Sequence, residues 1–248
     1  MNTLPSLDEL WRSSPSSGQV FRPEDFVGFP DPARLYLQHA IAPGTPLASA
    51  VRLRMHGEIK LKDWVPFKAE QVISLRRGMI WKAKVRLYAA PITGADSIVD
   101  GEGRMRWRLF GLIPIVTASG SDTARSTAGR LQAESVWLPS VFCQGGLEWA
   151  ACAPDRATAR FAVQGLTGEV TLVLNDEGRL KGIKMQRWGN PEGGAFHYAD
   201  FGGIAEGEQT FGGYTIPTRL RVGWHFDGDQ FGSDGEFFRV VVEDAVFR

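Results

Sequence analysis

The chain has 248 residues, 43% hydrophobic and 23% charged, with 28 Lys and Arg against 28 Asp and Glu. That length suits one large β domain or two small ones, and the composition is that of a chain able to bury a core. The even charge balance gives no overall field toward nucleic acid or an anionic membrane, and no run approaches the ~18 apolar residues of a membrane span.

The opening MNTLPSLDELWRSSPSSG has no basic stretch followed by an apolar one, so a cytoplasmic location is expected. The two cysteines, Cys143 and Cys152, make neither a disulfide framework nor a zinc site and are read as free thiols. Beneath the overall balance, residues 52–108 hold 13 Lys and Arg against 6 Asp and Glu, a mild local basic excess.

Residues 1–31 read as an amino-terminal arm with one short helix carrying Leu4, Leu7, Leu10 and Trp11. Residues 32–248 read as one β-rich domain. A helix is expected from Pro32 to Ile41, with proline in its first turn and APGTP stopping it.

From Ala50 the period becomes two. VRLRMHGEIKL sets Val51, Leu53 and Met55 against Arg52, Arg54 and His56, and VPFKAEQVI, MIWKAKVRLY and GRMRWRLFGLIPIV repeat the habit. At SGSDTARSTAGRLQAESVWLP the period turns helical, which predicts one helix over about 121–138, ended by Pro139. Short strands resume afterwards, separated by turns such as NDEG and GNPEGG.

Ten or eleven strands interrupted by one helix predict a mainly β fold. A single antiparallel sheet of that size curls under its own twist into a half-open barrel, with the central helix on its concave side. Val51, Leu53, Met55, Phe67, Trp81, Val85, Met105, Trp107 and Leu109 are expected on the inner face.

The stretches RLRMHGEIKL, DGEGRMRWRLFGLIPIV, RSTAGRLQAESVWLP, MQRWGNPEGGAFHYADFGG, TFGGYTIPTRLRVGW and EFFR resemble an uncharacterised family of bacterial proteins that share a domain of unknown function. The resemblance covers roughly residues 32–248 and implies no settled activity. In layout the chain also looks like the LolA/LolB lipoprotein carriers, whose curved antiparallel sheet holds acyl chains against internal helices; this is a likeness of topology. Unlike those carriers, the chain is expected to carry no export signal, and no cysteine lies near residue 1 for lipid attachment.

Several residues invite a functional reading, each beside a plainer one. Arg104, Arg106 and Arg108 can bind an anion or can form the wet face of a strand, as Arg52, Arg54, Lys82 and Lys84 do on neighbouring strands. Arg125, Arg130 and Glu134 ride on the central helix. A helix inside a curved sheet half-buries even its polar side, so Glu134, an i, i+4 neighbour of Arg130, is either the candidate base of an acid/base site or part of a structural salt bridge joining helix to sheet. Arg187, Trp188, His197, Tyr198 and Asp200 surround a Gly/Pro-rich loop and read equally as proton-moving groups or as the edge of a hairpin.

Metal binding is not expected, because the four histidines lack ligand spacing and the Asp-rich WHFDGDQFGSDGE lacks flanking helices. No phosphate-binding or dinucleotide fingerprint is present, and no cofactor is expected.

Two functions follow from such a pocket. One is a binding or carrier module for a hydrophobic or aromatic small molecule, with Trp81, Met105, Trp107, Trp137 and Trp188 as ligand-binding residues. The other is a cofactor-independent lyase, isomerase or hydrolase acting on an aromatic or lipid-like substrate, with Glu134, His197 and Tyr198 moving protons and Arg125 or Arg187 stabilising negative charge. A structural or partner-binding domain with no small ligand is the third possibility. The sequence sets no oligomeric state.

Overall fold

A computed structural model describes residues 5–16, 18–87, 90–229 and 231–248. Among these, thirteen strands form one antiparallel sheet. The amino-terminal half supplies β1 (Ala50–Lys60), β2 (Trp64–Ser74), β3 (Gly78–Leu87), β4 (Ala90–Val99), β5 (Glu102–Leu109) and β6 (Ile113–Ser119). The carboxy-terminal half supplies β7 (Glu148–Ala153), β8 (Arg156–Val163), β9 (Leu166–Leu174), β10 (Leu180–Gly189), β11 (His197–Phe211), β12 (Tyr214–Trp224) and β13 (Glu236–Phe247).

The strand order is β6-β5-β4-β3-β2-β1-β13-β12-β11-β10-β9-β8-β7, two meanders joined where β1 pairs with β13. The edges β6 and β7 do not pair, so the sheet stays an open half-barrel. The sequence expectation of ten or eleven strands falls short for two physical reasons. GRMRWRLFGLIPIV is a hairpin rather than one strand: Phe110 and Gly111 take φ of 54° and 73°, turning the chain so that Leu109 faces Ile113. The strand APITGADSIV also carries Gly, Asp and Ser, which obscure its alternation.

The helical segment runs from one sheet edge to the other across the concave side. Its main helix is α3 (Ser121–Ala133), followed by 3-10 turns at Glu134–Trp137 and Pro139–Cys143, so the α-helix proper ends earlier than the expected residue 138. α3 packs against β4 to β6 on one arm and β8 to β10 on the other. Close approach needs glycine: a Cβ on Gly103 of β5 would stand 2.4 Å from Ala124 Cα. On the opposite arm Gln132 Nε2 donates to the carbonyls of Phe161 and Leu166 at 3.3 and 3.2 Å. Both arms therefore grip the helix.

The expected inner face is the observed one. Val51, Leu53, Met55, Phe67, Trp81 and Val85 are buried in the main core, and Trp107 and Leu109 pack against it. The basic alternates lie outside. Arg106 and Arg108 are exposed, and Arg52 bridges Asp8 and Glu70 at 2.7 and 3.0 Å.

α2 (Asp31–Ala40) matches the expected second helix within a residue, with Tyr36 and Leu37 in the core. The first helix, α1 (Leu7–Arg12), is closed by a Ser6/Glu9 capping box and covers the convex side, where Leu10 meets Val72, Ile80 and Val99. Leu4 and the Cys152 side chain lie outside the described residues. Among the described residues no helix is long and apolar enough to cross a membrane, and no cluster of His, Cys, Asp and Glu could hold a metal ion.

Candidate functional site

Between α3 and the concave face lies a cavity of about 510 Å³, within the range of ~300–1,000 Å³ common for small-molecule sites. Its walls are mostly apolar. On one side Trp81 stands 5.7 Å from Trp107 and 6.0 Å from Phe238, while Phe67 stacks on Phe238 at 5.0 Å. On the other, Phe201 meets Trp224 edge-on at 5.1 Å, with Ile183 and Val222 beside them. Strand alternation aims these rings inward, and the wide curve of the sheet keeps the two groups from collapsing together.

The rim is apolar as well. Leu61 in the β1–β2 turn and Ile115 and Val116 on β6 line the cavity, yet all three are largely exposed. Phe110, Leu112 and Ile113 continue this exposed apolar surface along the β5–β6 hairpin.

One polar cluster interrupts the apolar wall. Arg130 of α3 places Nε 2.7 Å from Glu134 Oε1, one helical turn on, and Nη1 3.0 Å from Asp96 Oδ2 on β4. Gln71 of β2 donates to Glu134 Oε2 at 2.6 Å, and the Trp107 indole N–H donates to Asp96 Oδ1 at 2.8 Å. The Arg130 guanidinium also lies 4.7 Å from the Trp81 ring centroid. Helix and sheet are thus tied by a network whose charged members face the cavity.

Burial opposes the Arg130 charge, but Glu134 and Asp96 outweigh it and hold its pKa above the ordinary arginine value. Burial raises the pKa of Asp96 above its ordinary value, with the Glu134 charge adding to the rise and Arg130, Trp107 and Arg187 offsetting part of it.

Arg187, on β10, stands differently. Its guanidinium lies over Phe201 at 4.6 Å and Trp224 at 5.1 Å, and Nε and Nη2 reach only the Ser126 carbonyl, at 3.4 Å. No carboxylate among the described residues lies within salt-bridge distance of it. Burial, with the Arg130 charge added, pushes its pKa down to about 10, which leaves it a cation at neutral pH.

Of the residues singled out from sequence, Glu134, Arg187, Trp81, Met105, Trp107 and Trp137 line this cavity together. Arg125, Trp188, His197 and Tyr198 lie outside it. The Arg125 guanidinium sits 4.5 Å over the Trp188 ring, whose N–H donates to Asp122 at 2.9 Å, and Tyr198 meets Trp188 edge-on at 5.1 Å. This group fastens the start of α3 to β10 and β11, and it borders the cavity through Phe196, which stacks on Trp188. His197 is exposed, with Nε2 3.6 Å from Glu192.

Asp96, Gln71, Phe201, Trp224 and Phe238 belong to the site and were not singled out. A signal existed for two of them. Gln71 falls on the inward alternate after Val65, Phe67 and Ala69, and Asp96 falls between Ile92 and Ile98 on the inward alternate of β4. A polar side chain on an apolar alternate must find a partner inside.

Residues 19–233 match the model of a family of unknown function, DUF6544, and the chain belongs to that family. No curated protein matches the chain. Among solved structures, it is similar to a LolA superfamily protein from Nitrosomonas europaea at 12% identity and a TM-score of 0.47, with 88% of this chain and 92% of that one covered. It is also similar to a putative outer membrane lipoprotein-sorting protein domain from Vibrio parahaemolyticus, at 8% identity and 0.45, covering 81% and 86%. A third, a DUF1329 family protein from Desulfovibrio piger, stands at 9% identity and 0.37, covering 87% and 91%.

Proposed function

We propose that this member of the DUF6544 family is a binding or carrier module that holds a hydrophobic or aromatic small molecule between α3 and the concave face of its sheet. The observation that carries the reading is the cavity itself: about 510 Å³ walled by Trp81, Trp107, Trp224, Phe201 and Phe238, with few polar groups to fix a ligand. The exposed apolar rim at Leu61, Ile115 and Val116 supports entry of an apolar ligand from that side.

Carriage is favoured over acid/base chemistry by how Glu134 is held. Arg130 takes one carboxylate oxygen and Gln71 the other, so the group serves as a strut of the helix–sheet network rather than a free base. His197 and Tyr198 stand outside the cavity and do not converge on Glu134.

Native mass spectrometry of freshly purified protein tests the reading. A co-purifying hydrophobic molecule that is released on unfolding is the expected result. Protein that arrives empty, and that gives no fluorescence enhancement with the neutral dye N-phenyl-1-naphthylamine, would overturn it.

A further inference from the structure

Arg187 poses a question that the apolar cavity leaves open. Its side-chain stem crosses α3 at Gly129, where a Cβ would stand 3.1 Å from Arg187 Cγ, so the helix has no side chain at the point of crossing. The guanidinium beyond is held by ring faces, which tolerate a cation without neutralising it. Its only acceptor among the described residues is the Ser126 carbonyl, shared by Nε and Nη2 at 3.4 Å, which leaves three of five N–H groups without one. The other cation of the cavity, Arg130, is by contrast paired with two carboxylates.

A desolvated guanidinium with spare donors, set in an apolar cavity, favours a planar oxyanion bound through two parallel N–H bonds. We propose that the ligand is a monocarboxylate amphiphile whose carboxylate pairs with Arg187 while its alkyl or aryl body lies along Trp81, Trp107, Val222 and Phe238. This rests on the carrier reading and adds the chemical class of ligand to it.

Isothermal titration of the full chain with dodecanoate and with dodecanol, both below their micelle or solubility limits, separates head from tail. In the wild type, dodecanoate is expected to bind about tenfold or more tighter than dodecanol, the scale of a charge-assisted bidentate pair. In Arg187→Met that preference should vanish while dodecanol affinity stays within about threefold, which also shows that the variant folds and keeps its cavity. Arg187→Lys should retain part of the preference. Dodecanol binding as tightly as dodecanoate, or a preference that survives Arg187→Met, overturns the head-group assignment and leaves carriage standing. Failure of both ligands to bind the wild type overturns carriage of such molecules and this inference with it.

Discussion

Gly129 and Arg187 fit together as groove and rod: the arginine stem passes over the helix where a Cβ would come within 3.1 Å of its Cγ. The relationship links a helix residue with no side chain to the cavity cation that, among the described residues, has no carboxylate within salt-bridge distance. It also makes the helix position sensitive to size.

Gly129→Ala is expected to be nearly neutral, within about 1 kcal/mol, because gained helix propensity offsets the small displacement of a flexible stem. Gly129→Val adds bulk that the stem cannot evade and should cost about 1–3 kcal/mol. Urea denaturation of the two variants checks the order, and a valine variant as stable as the alanine one would contradict it.

Arg130→Met leaves Asp96 and Glu134 buried without their shared cation, and a loss of about 3–5 kcal/mol is expected at neutral pH. The deficit should shrink on acidification, because burial favours the neutral form of Asp96. A deficit that stays constant between pH 7 and pH 4 would show that lost packing, not lost charge, is responsible.

Asp96 gives a pH dependence of definite sign. Its pKa in the folded protein lies above its ordinary value of 3.8, chiefly through burial, so the folded state holds more protons in the window between the two. The stability of the wild type relative to Asp96→Asn should therefore be greatest below about pH 3.8 and decline as pH rises through the folded value. Denaturation curves of both proteins from pH 4 to pH 8 measure the difference, and a flat difference would contradict the assignment.

Much of this arrangement is legible from the chain. Period-two alternation places Trp81 and Trp107 inside and Arg106 and Arg108 outside, and the helical run after Ser121 identifies the element on the concave side. What alternation leaves hidden is which distant strands face one another. Phe201 and Trp224 look like ordinary core residues until the curved sheet sets them around the same cavity as Trp81 and Trp107. His197 and Tyr198 stand near Arg187 in sequence, yet neither lines the cavity: Tyr198 pairs with Trp188 on the alternate opposite Arg187, and His197, on the same alternate as Arg187, sits exposed at the start of β11.

Cys143 should be a poor nucleophile in the folded protein, because burial pushes its thiol pKa up to about 12. In a Cys152→Ser background, alkylation by iodoacetamide at pH 8 is expected to be slower than in the urea-unfolded chain by more than about a hundredfold, following the loss of thiolate. Comparable rates in the two states would place the thiol in water instead.

The central claim, that the space between α3 and the sheet is a ligand site, is tested most directly by filling it. Val222 lines the cavity on β12, whereas Lys82 lies on the convex face. Titration of N-phenyl-1-naphthylamine into the wild type, Val222→Trp and Lys82→Ala should give tight, saturable binding to the first and third. Binding should be lost in Val222→Trp, whose circular dichroism remains that of the wild type. Undiminished binding to a folded Val222→Trp would place the hydrophobic site elsewhere and contradict the account.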